Sequence, residues 1–530
     1  MKKTRIILLV LVAAVSYWNM TSCGGGSPEM ASGHITSITP AEGATGINVT
    51  QAITVVFNAD IDETTLTAAN VYLTRAGGVV HVTGTIAYNA ASKTLTFTPT
   101  FPMVGGALYT FTLNHSVMTK AVNAAGDYTS TFTTQAAPIL YASNEDPSNP
   151  GAAIAVANVW SMNADGSGRT ALTTETAAHD MIYPVWSPDY TRIVYNITAP
   201  GGGTPTNLGM MSADGTSQIA LTAGTGTYGS ALQRWLPNGS KIIFLHSNNF
   251  PAEGFNLASI NPDGTGLTNL TNIAAGETVL AMYSISTDGS QIAYPMGNMG
   301  TPFLDLYVMN SDGTGITKLT DVGTGNIVYF IYFSPDGSRI FYSMGGPATS
   351  VGIYSIGVDG TGQQTIVAPE TNIIKKLQGV SPDGTRIAYT VSDLTLNDLY
   401  IANIDGSSSV KVTSAAGSNI AGDFAFWSPD GSRFAYTFGN DILGPLDVNV
   451  VNSDGTNAVN VTNYAAGSEA EYPFNALAVS QPWSMDGSQI IVSRNDSGVT
   501  SNIDLANADG SSLTHLTSST VYSSVFGDWW

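Results

Sequence analysis

From residue 138 onward the chain alternates short apolar runs with polar turn residues, and the alternation itself repeats. Stretches such as RIFYS and DLYVMNSDGTGITKLT put apolar residues at every second position, the period of a strand with one covered face. Two turn elements punctuate these runs. The first, N-x-D-G-[ST] followed by Leu-Thr or a close equivalent, is centred on Asp165, Asp214, Asp263, Asp312, Asp359, Asp405, Asp454 and Asp509, with spacings of 49, 49, 49, 47, 46, 49 and 55 residues. The second, S-P-D-G-[ST]-[RKQ]-I/F, recurs around Asp189, Asn238, Asp288, Asp336, Asp383, Asp430 and Asp486. The two alternate, and each reads as a hairpin turn in which glycine supplies positive φ and the Asp side chain caps its own turn. Each period is therefore four short strands, and its length is that of a β-propeller blade. Seven blades are complete in sequence, with inner strands beginning near Tyr183, Leu232, Met282, Phe330, Leu377, Phe424 and Ser480. The Asp165 copy has strands before it from Pro138 but no S-P-D-G turn. The C-terminal TVYSSVFGDWW matches an inner strand and stops where that turn would start. The two fragments complete each other, which predicts an eight-bladed propeller over 138–530 closed by the C-terminal strand.

The segment 34–136 has a different rhythm. Alternating runs at Ile53–Phe57, Asn70–Thr74, Val79–Tyr88, Thr94–Thr98, Leu108–Leu113 and Thr129–Thr134 predict six or seven strands without a helix, the pattern of a β-sandwich. The stretches ITPAEGATGINVTQAITVVFNADIDETTL, KTLTFTPTFPMVGGALYTFTL and DYTSTFTTQ resemble the bacterial Ig-like domain of S-layer and other surface proteins. That resemblance implies a spacer or adhesion module and no catalytic residues. Asp60 and Asp62 fall short of the 6–8 oxygens calcium takes, and read as a solvated turn opening IDETTL.

In the repeat region, WSPDGSRFAY and LYVMNSDGTGITKLT resemble the WD40-like repeats of the TolB-type β-propeller family, over about 390 of 530 residues. The resemblance implies the fold and leaves function open, because propellers carry unrelated activities on one scaffold. TolB has an α/β domain ahead of its propeller; an Ig-like module stands in that place here, so TolB's partners are not carried over.

The N-terminus adds a location. Lys2, Lys3 and Arg5 precede ten apolar residues, Ile6 to Val15, about half the ~20 a membrane-spanning helix needs. Residues 1–22 read as a signal peptide. Met20-Thr21-Ser22-Cys23 resembles a lipobox, with Met at the usual Leu position, and residues 23–33 form a glycine-rich tether. Cys23, the one cysteine of the chain, is the expected lipidation site, and Gly24 after it resembles an outer-membrane sorting signal. A cell-envelope lipoprotein, facing the periplasm or the surface, is expected.

Composition narrows the chemistry. Charged residues are 11%, against about 25% in a typical soluble protein, and 56 glycines suit short strands and tight turns. Removal of Lys2, Lys3 and Arg5 with the leader leaves 15 basic against 39 acidic residues. Such a surface repels phosphate backbones, so nucleic acid is excluded as a partner. No metal or cofactor is expected: the six histidines form no HExxH or Cys/His cluster, and the Asp-Gly turns lack the clustered oxygens of a calcium loop. Trp186, Trp235, Trp427, Trp483 and Trp529 share one repeat position with Ile285, Phe333 and Val380, which predicts inter-blade core rather than a sugar-stacking surface. No G-x-S-x-G occurs. His179, Asp180, Arg234, Lys376 and Asp423 stand near starts of predicted inner strands and are the candidate ligand-binding residues. Two functions stay open: a non-catalytic, monomeric envelope protein binding a protein, peptide or glycan, or a propeller hydrolase or lyase acting on carbohydrate or lactone. A polar cluster at a tunnel mouth would favour the enzyme, and an apolar or uncharged mouth the binder.

Overall fold

A computed structural model of the chain describes residues 34–529, apart from 76–80, 121–126, 347–349, 394–396, 414–419, 440–445, 465–467, 472–481, 497–499 and the positions 150, 202, 227, 250, 251, 299, 301, 302, 485 and 522. The described chain is all-β. The first unit is a sandwich of two sheets. One orders Ile35–Thr39, Ile53–Phe57, Thr94–Pro99 and Gly84–Asn89; the other Ala44–Ile47, Tyr128–Thr134, Leu108–Leu113, Val71–Arg75 and His81–Val82. Their inward residues, among them Ile53, Val55, Leu73, Leu95, Phe97, Phe111 and Phe132, make one core. The single run expected over Val79–Tyr88 is two strands in two different sheets. The chain crosses between them at Thr83, and a Cβ on Gly84 would sit 2.5 Å from the Phe97 ring, so the crossing needs glycine. Asp62 caps a short 3-10 turn, accepting from Thr64 N (3.0 Å) and Thr64 Oγ1 (2.7 Å), while Asp60 pairs with Lys93 at 3.3 Å.

The rest forms eight blades, numbered here along the ring. Blade 1 orders Thr170–Ala171, Ala153–Met162, Ile139–Glu145 and Ser524–Asp528, so its innermost strand is the end of the chain. Blades 2 to 8 follow in sequence with innermost strands Asp180–Trp186, Gly229–Trp235, Glu277–Val279 with Ser284–Ile285, Ile327–Phe333, Ile374–Val380, Ile420–Trp427 and Ser468–Glu471. The inner strand expected near Ser480 lies outside the described residues. The others begin about three residues earlier than the repeat alone suggested, because the third strand of one blade pairs in parallel with the first residue of the next inner strand: Thr206 with Gly229, Leu304 with Ile327, Asn397 with Ile420.

Both turn elements fold as the sequence implies. Asp312 Oδ1, for example, accepts from Thr314 N (2.9 Å) and Thr314 Oγ1 (2.6 Å), and Gly313 has φ 87°. Turn glycines also seat one blade on the last. A Cβ at Gly215 of blade 2 would stand 2.7 Å from the Leu172 carbonyl of blade 1. The core lies between blades: Leu140, Val159 and Leu172 of blade 1 pack with Trp186, Ile193, Tyr195 and Met211 of blade 2. The five repeat tryptophans are all buried in such clusters, and Trp483 Nε1 donates to the Phe426 carbonyl of the preceding blade at 3.0 Å.

Ring closure rests on antiparallel pairing of Tyr141 with Phe526, Ala142 with Val525 and Ser143 with Ser524. Phe526 and Trp529 enter a core with Ile139, Tyr141, Ile491 and Ile503. Loss of such side chains costs about 1.5–3 kcal/mol each, against a domain stability of about 5–15 kcal/mol. Deletion of Val521–Trp530 should therefore abolish cooperative unfolding, read by calorimetry; a truncated chain that melts cooperatively at the full-length temperature would refute closure.

Candidate functional site

The innermost strands ring a central tunnel, and each leaves one edge facing it. Their pairing with the second strand slips at one repeated level: Ile182 pairs with Asn196 but Val185 with Val194, Ala231 with Leu245 but Arg234 with Ile243, Tyr329 with Ser343 but Tyr332 with Phe341. At each slip sits a large residue in the left-handed region, Tyr183 (φ 53°), Leu232 (φ 59°) and Phe330 (φ 53°). Bulky side chains rarely adopt that conformation, and it costs of order 1–3 kcal/mol. It accompanies a tie to a neighbouring blade. The Tyr183 carbonyl accepts from Gln233 Nε2 at 2.7 Å, and the Leu232 carbonyl lies 2.5 Å from the Tyr283 hydroxyl. Phe330 N reaches Met282 Sδ at 3.5 Å. Tyr183, Leu232 and Phe330 stay half-exposed on these strands, as does Met282 in the gap between Glu277–Val279 and Ser284–Ile285, giving four consecutive blades an apolar, partly aromatic wall.

Two candidate cations flank this wall. The Arg234 guanidinium of blade 3 stands 4.6 Å from the centre of the Tyr283 ring in blade 4, and Lys376 Nζ of blade 6 is 5.9 Å from that of Phe330 in blade 5, both within cation–π range. Burial lowers the Arg234 pKa, opposed by Tyr283 and Tyr332. Burial also pushes Tyr332 up to about 12, with Arg234 opposing. The structure thus brings Arg234 together with Tyr283 and Tyr332, and Lys376 with Phe330. Asp180 is buried and engaged elsewhere, accepting from Ala157 N (2.7 Å) and Gly201 N (2.6 Å) at the junction of blades 1 and 2. His179, one residue earlier, is exposed on the loop into blade 2. Asp423 lies on Ile420–Trp427, and its side chain lies outside the described residues, as does Cys23. Asp528 of the closing strand, at the repeat position of Arg234, accepts from Trp186 N at 2.8 Å.

Two polar features escaped the sequence reading. In seven blades an Asn or Asp on the third strand accepts from the Thr that follows the N-x-D-G turn, 15 residues on: Asn158 and Thr173 (2.8 Å), Asp305 and Thr320 (3.0 Å), and Asp447 and Thr462 (2.8 Å) are three of them. That constant spacing was visible in the sequence. Blade 5 lacks the pair, and there Lys375 donates to the Ala368 carbonyl at 2.6 Å and pairs with Glu370. The second feature is a charge cluster in blade 8. Asp504, fully buried, bonds Arg494 (3.1 Å), His515 (2.8 Å) and the Tyr464 hydroxyl (3.0 Å), and Arg494 also bonds Asp496 (3.0 Å). Burial and the Asp504 charge push the Tyr464 phenol far up. Asp504 pairs with Val492 where other blades stack rings across the same strands, as Tyr294 does on Tyr307 and Tyr389 on Tyr400. This cluster runs from the outermost strand, Leu513–His515, to the innermost, where Ser468 Oγ donates to Asp496 at 2.8 Å. Among the described residues no three His, Cys, Asp or Glu side chains gather as a metal site would require.

The strand pairings define an eight-bladed β-propeller behind an Ig-like sandwich. Residues 32–134 match the bacterial Ig-like domain family. No curated protein matches the sequence. Solved structures similar to the chain include an oligogalacturonate lyase in complex with manganese (14% identity, 70% of this chain and 97% of that one, TM-score 0.46). A puromycin-hydrolysing peptidase from Mycobacterium tuberculosis matches at 14% identity and TM-score 0.45, over 64% of this chain and 52% of its own. TolB from Acinetobacter baumannii matches at 13% identity and TM-score 0.32, over 61% and 77%.

The turn carboxylates give a pH prediction. Hydrogen bonds to Thr or Ser hold Asp312, Asp336 and their equivalents below the ordinary value of 3.8. A depressed folded pKa gives stability that is present above the unfolded value and lost as pH falls through the folded one. The melting temperature should therefore hold to about pH 4 and fall below it. Asn238 makes the same turn bonds to Ser240, at 3.0 and 2.7 Å, so Asp312→Asn should melt near wild type at pH 7 and Asp312→Ala lower. Equal melting of the two variants would refute the capping role.

Proposed function

We propose that the protein is a non-catalytic cell-envelope lipoprotein, anchored through Cys23, whose propeller binds a protein, peptide or glycan partner while the Ig-like domain holds it off the membrane. The observation that carries this reading is the half-exposed wall of Tyr183, Leu232, Met282 and Phe330 along the innermost edges of four consecutive blades. Apolar and aromatic surface in a preformed concavity suits recognition. The groups that acid–base chemistry would need are engaged otherwise: Asp180 on two amides, the turn aspartates on their own turns, Arg234 against a tyrosine ring. The bacterial Ig-like match fits a surface or envelope setting, and the acidic surface disfavours nucleic acid.

The partner should be captured from cross-linked envelopes with the intact lipoprotein. Leu232→Ala with Phe330→Ala should weaken its binding at least tenfold, about 1.4 kcal/mol, while Ile219→Ala on the outer wall leaves it unchanged. Cys23→Ala should abolish labelling by a palmitate analogue. Turnover of a glycoside, lactone or ester by residues 24–530, removed by Asp423→Asn or His179→Ala, would overturn the binding reading in favour of an enzyme.

A further inference from the structure

We infer that the Ig-like domain stands end-on across one mouth of the propeller tunnel and closes it, so that a ligand enters end-first from the opposite face. One end of the sandwich is built from three loops tied together beside the end of strand Val71–Arg75. Met103 N donates to the Val49 carbonyl (2.7 Å), Gly106 N to the Gln135 carbonyl (3.1 Å) and Val104 N to the Tyr109 hydroxyl (2.8 Å), and Tyr109 pairs across the sheet with Arg75. This end meets the S-P-D-G turns. Gly105 N donates to the Tyr190 hydroxyl of blade 2 at 3.0 Å, and a Cβ on Gly105 would come within 2.7 Å of that ring. Tyr190 packs at once on the Ig-like core and on the core between blades 1 and 2. Thr50 and Pro102 line a crevice with Trp235 and Asn238 of blade 3, and Gly105 and Ala136 another with Ser484 and Asp486 of blade 8. On the far side, Arg75 Nη2 donates to the Pro429 carbonyl of blade 7 at 3.0 Å.

Blades 3 and 7 are four apart in a ring of eight, hence opposite one another. S-P-D-G turns end the innermost strands, so they form the rim of the tunnel. A compact body with one continuous core that touches opposite points of a rim covers the axis between them. Its breadth suits this: four or five strands spaced about 4.8 Å apart span roughly 20 Å, with the second sheet adding about 10 Å. The open face carries the loops entering each inner strand, His179 among them, and the hairpins between second and third strands. A tunnel closed at one end accepts the terminus of a linear ligand and cannot be threaded by its middle. The closure concerns two domains of this chain; only the statement about entry rests on the binding reading.

The test needs no ligand. In the full chain carrying Cys23→Ser, the pairs Thr50→Cys with Asn238→Cys and Arg75→Cys with Pro429→Cys are treated with a short bis-maleimide and mapped by peptide mass spectrometry. Both pairs should cross-link within single molecules. Cross-linking of one pair alone, or of neither, would overturn the closure. Small-angle X-ray scattering of the chain with Cys23→Ser alone guards against turn variants that misfold. Its profile should match the rigid end-on arrangement, and one that requires freely reorienting domains would overturn the inference. Closure without partner capture would sink only the proposed function, and capture without closure only this inference.

Discussion

A ring of sheets holds together only if the first sheet and the last are joined. Blade 1 contributes three strands from Ile139 to Ala171 and receives its fourth, Ser524–Asp528, from the other end of the chain. That strand does two things at once. Its backbone completes a ladder whose loss would expose a row of hydrogen-bonding groups, and its Phe526 and Trp529 fill the gap between blades 8 and 1. The core between blades 1 and 2 abuts the same composite sheet, and the remaining inter-blade cores lie between sheets built from contiguous sequence. The geometry of the tunnel, and of anything that binds there, depends on this single antiparallel pairing.

The repeated turns serve the same end by a local route. Each Asp or Asn folds back on the Ser or Thr two residues later, and turn glycines such as Gly215, Gly406 and Gly455 let the next blade sit against the previous outer strand. A chain with 11% charged residues thus spreads part of its excess of acid over these turns. The turn carboxylates are distributed one per turn, where hydrogen bonds from Ser or Thr satisfy them.

Much of this was legible in the sequence because the repeat is long, regular and punctuated by Asp-Gly. The blade count, the closing strand and the burial of Trp186, Trp427 and Trp529 all followed from register. The site was legible only in part. Lys376 lies near the start of its inner strand and Arg234 at the end of its own, and nothing in a linear pattern reveals that Tyr183, Leu232 and Phe330 are left-handed, since their neighbours read as ordinary strand. Asp180 looked like a ligand because it precedes a strand near a histidine; its engagement with Ala157 and Gly201 depends on residues 23 and 21 positions away. The blade 8 cluster escaped for the same reason, as Arg494, Asp504 and His515 come together only through the pairing of three strands.

The two faces of the propeller are under different constraints. In a four-stranded blade, the turns after the first and third strands fall on one face, so S-P-D-G and N-x-D-G share it. There, turn geometry dictates the residues eight times over and leaves little freedom to shape a specific site. It is this face that meets the Ig-like domain through Tyr190, Asn238 and Pro429. The opposite face carries connections that do not repeat, in the position where loops on a rigid scaffold usually hold binding residues. The half-exposed wall of Tyr183, Leu232, Met282 and Phe330 stands between the two, along the innermost edges of blades joined by the ties from Gln233 and Tyr283. Under the proposed function, recognition falls where the repeat permits variation, and contact with the Ig-like domain where it does not.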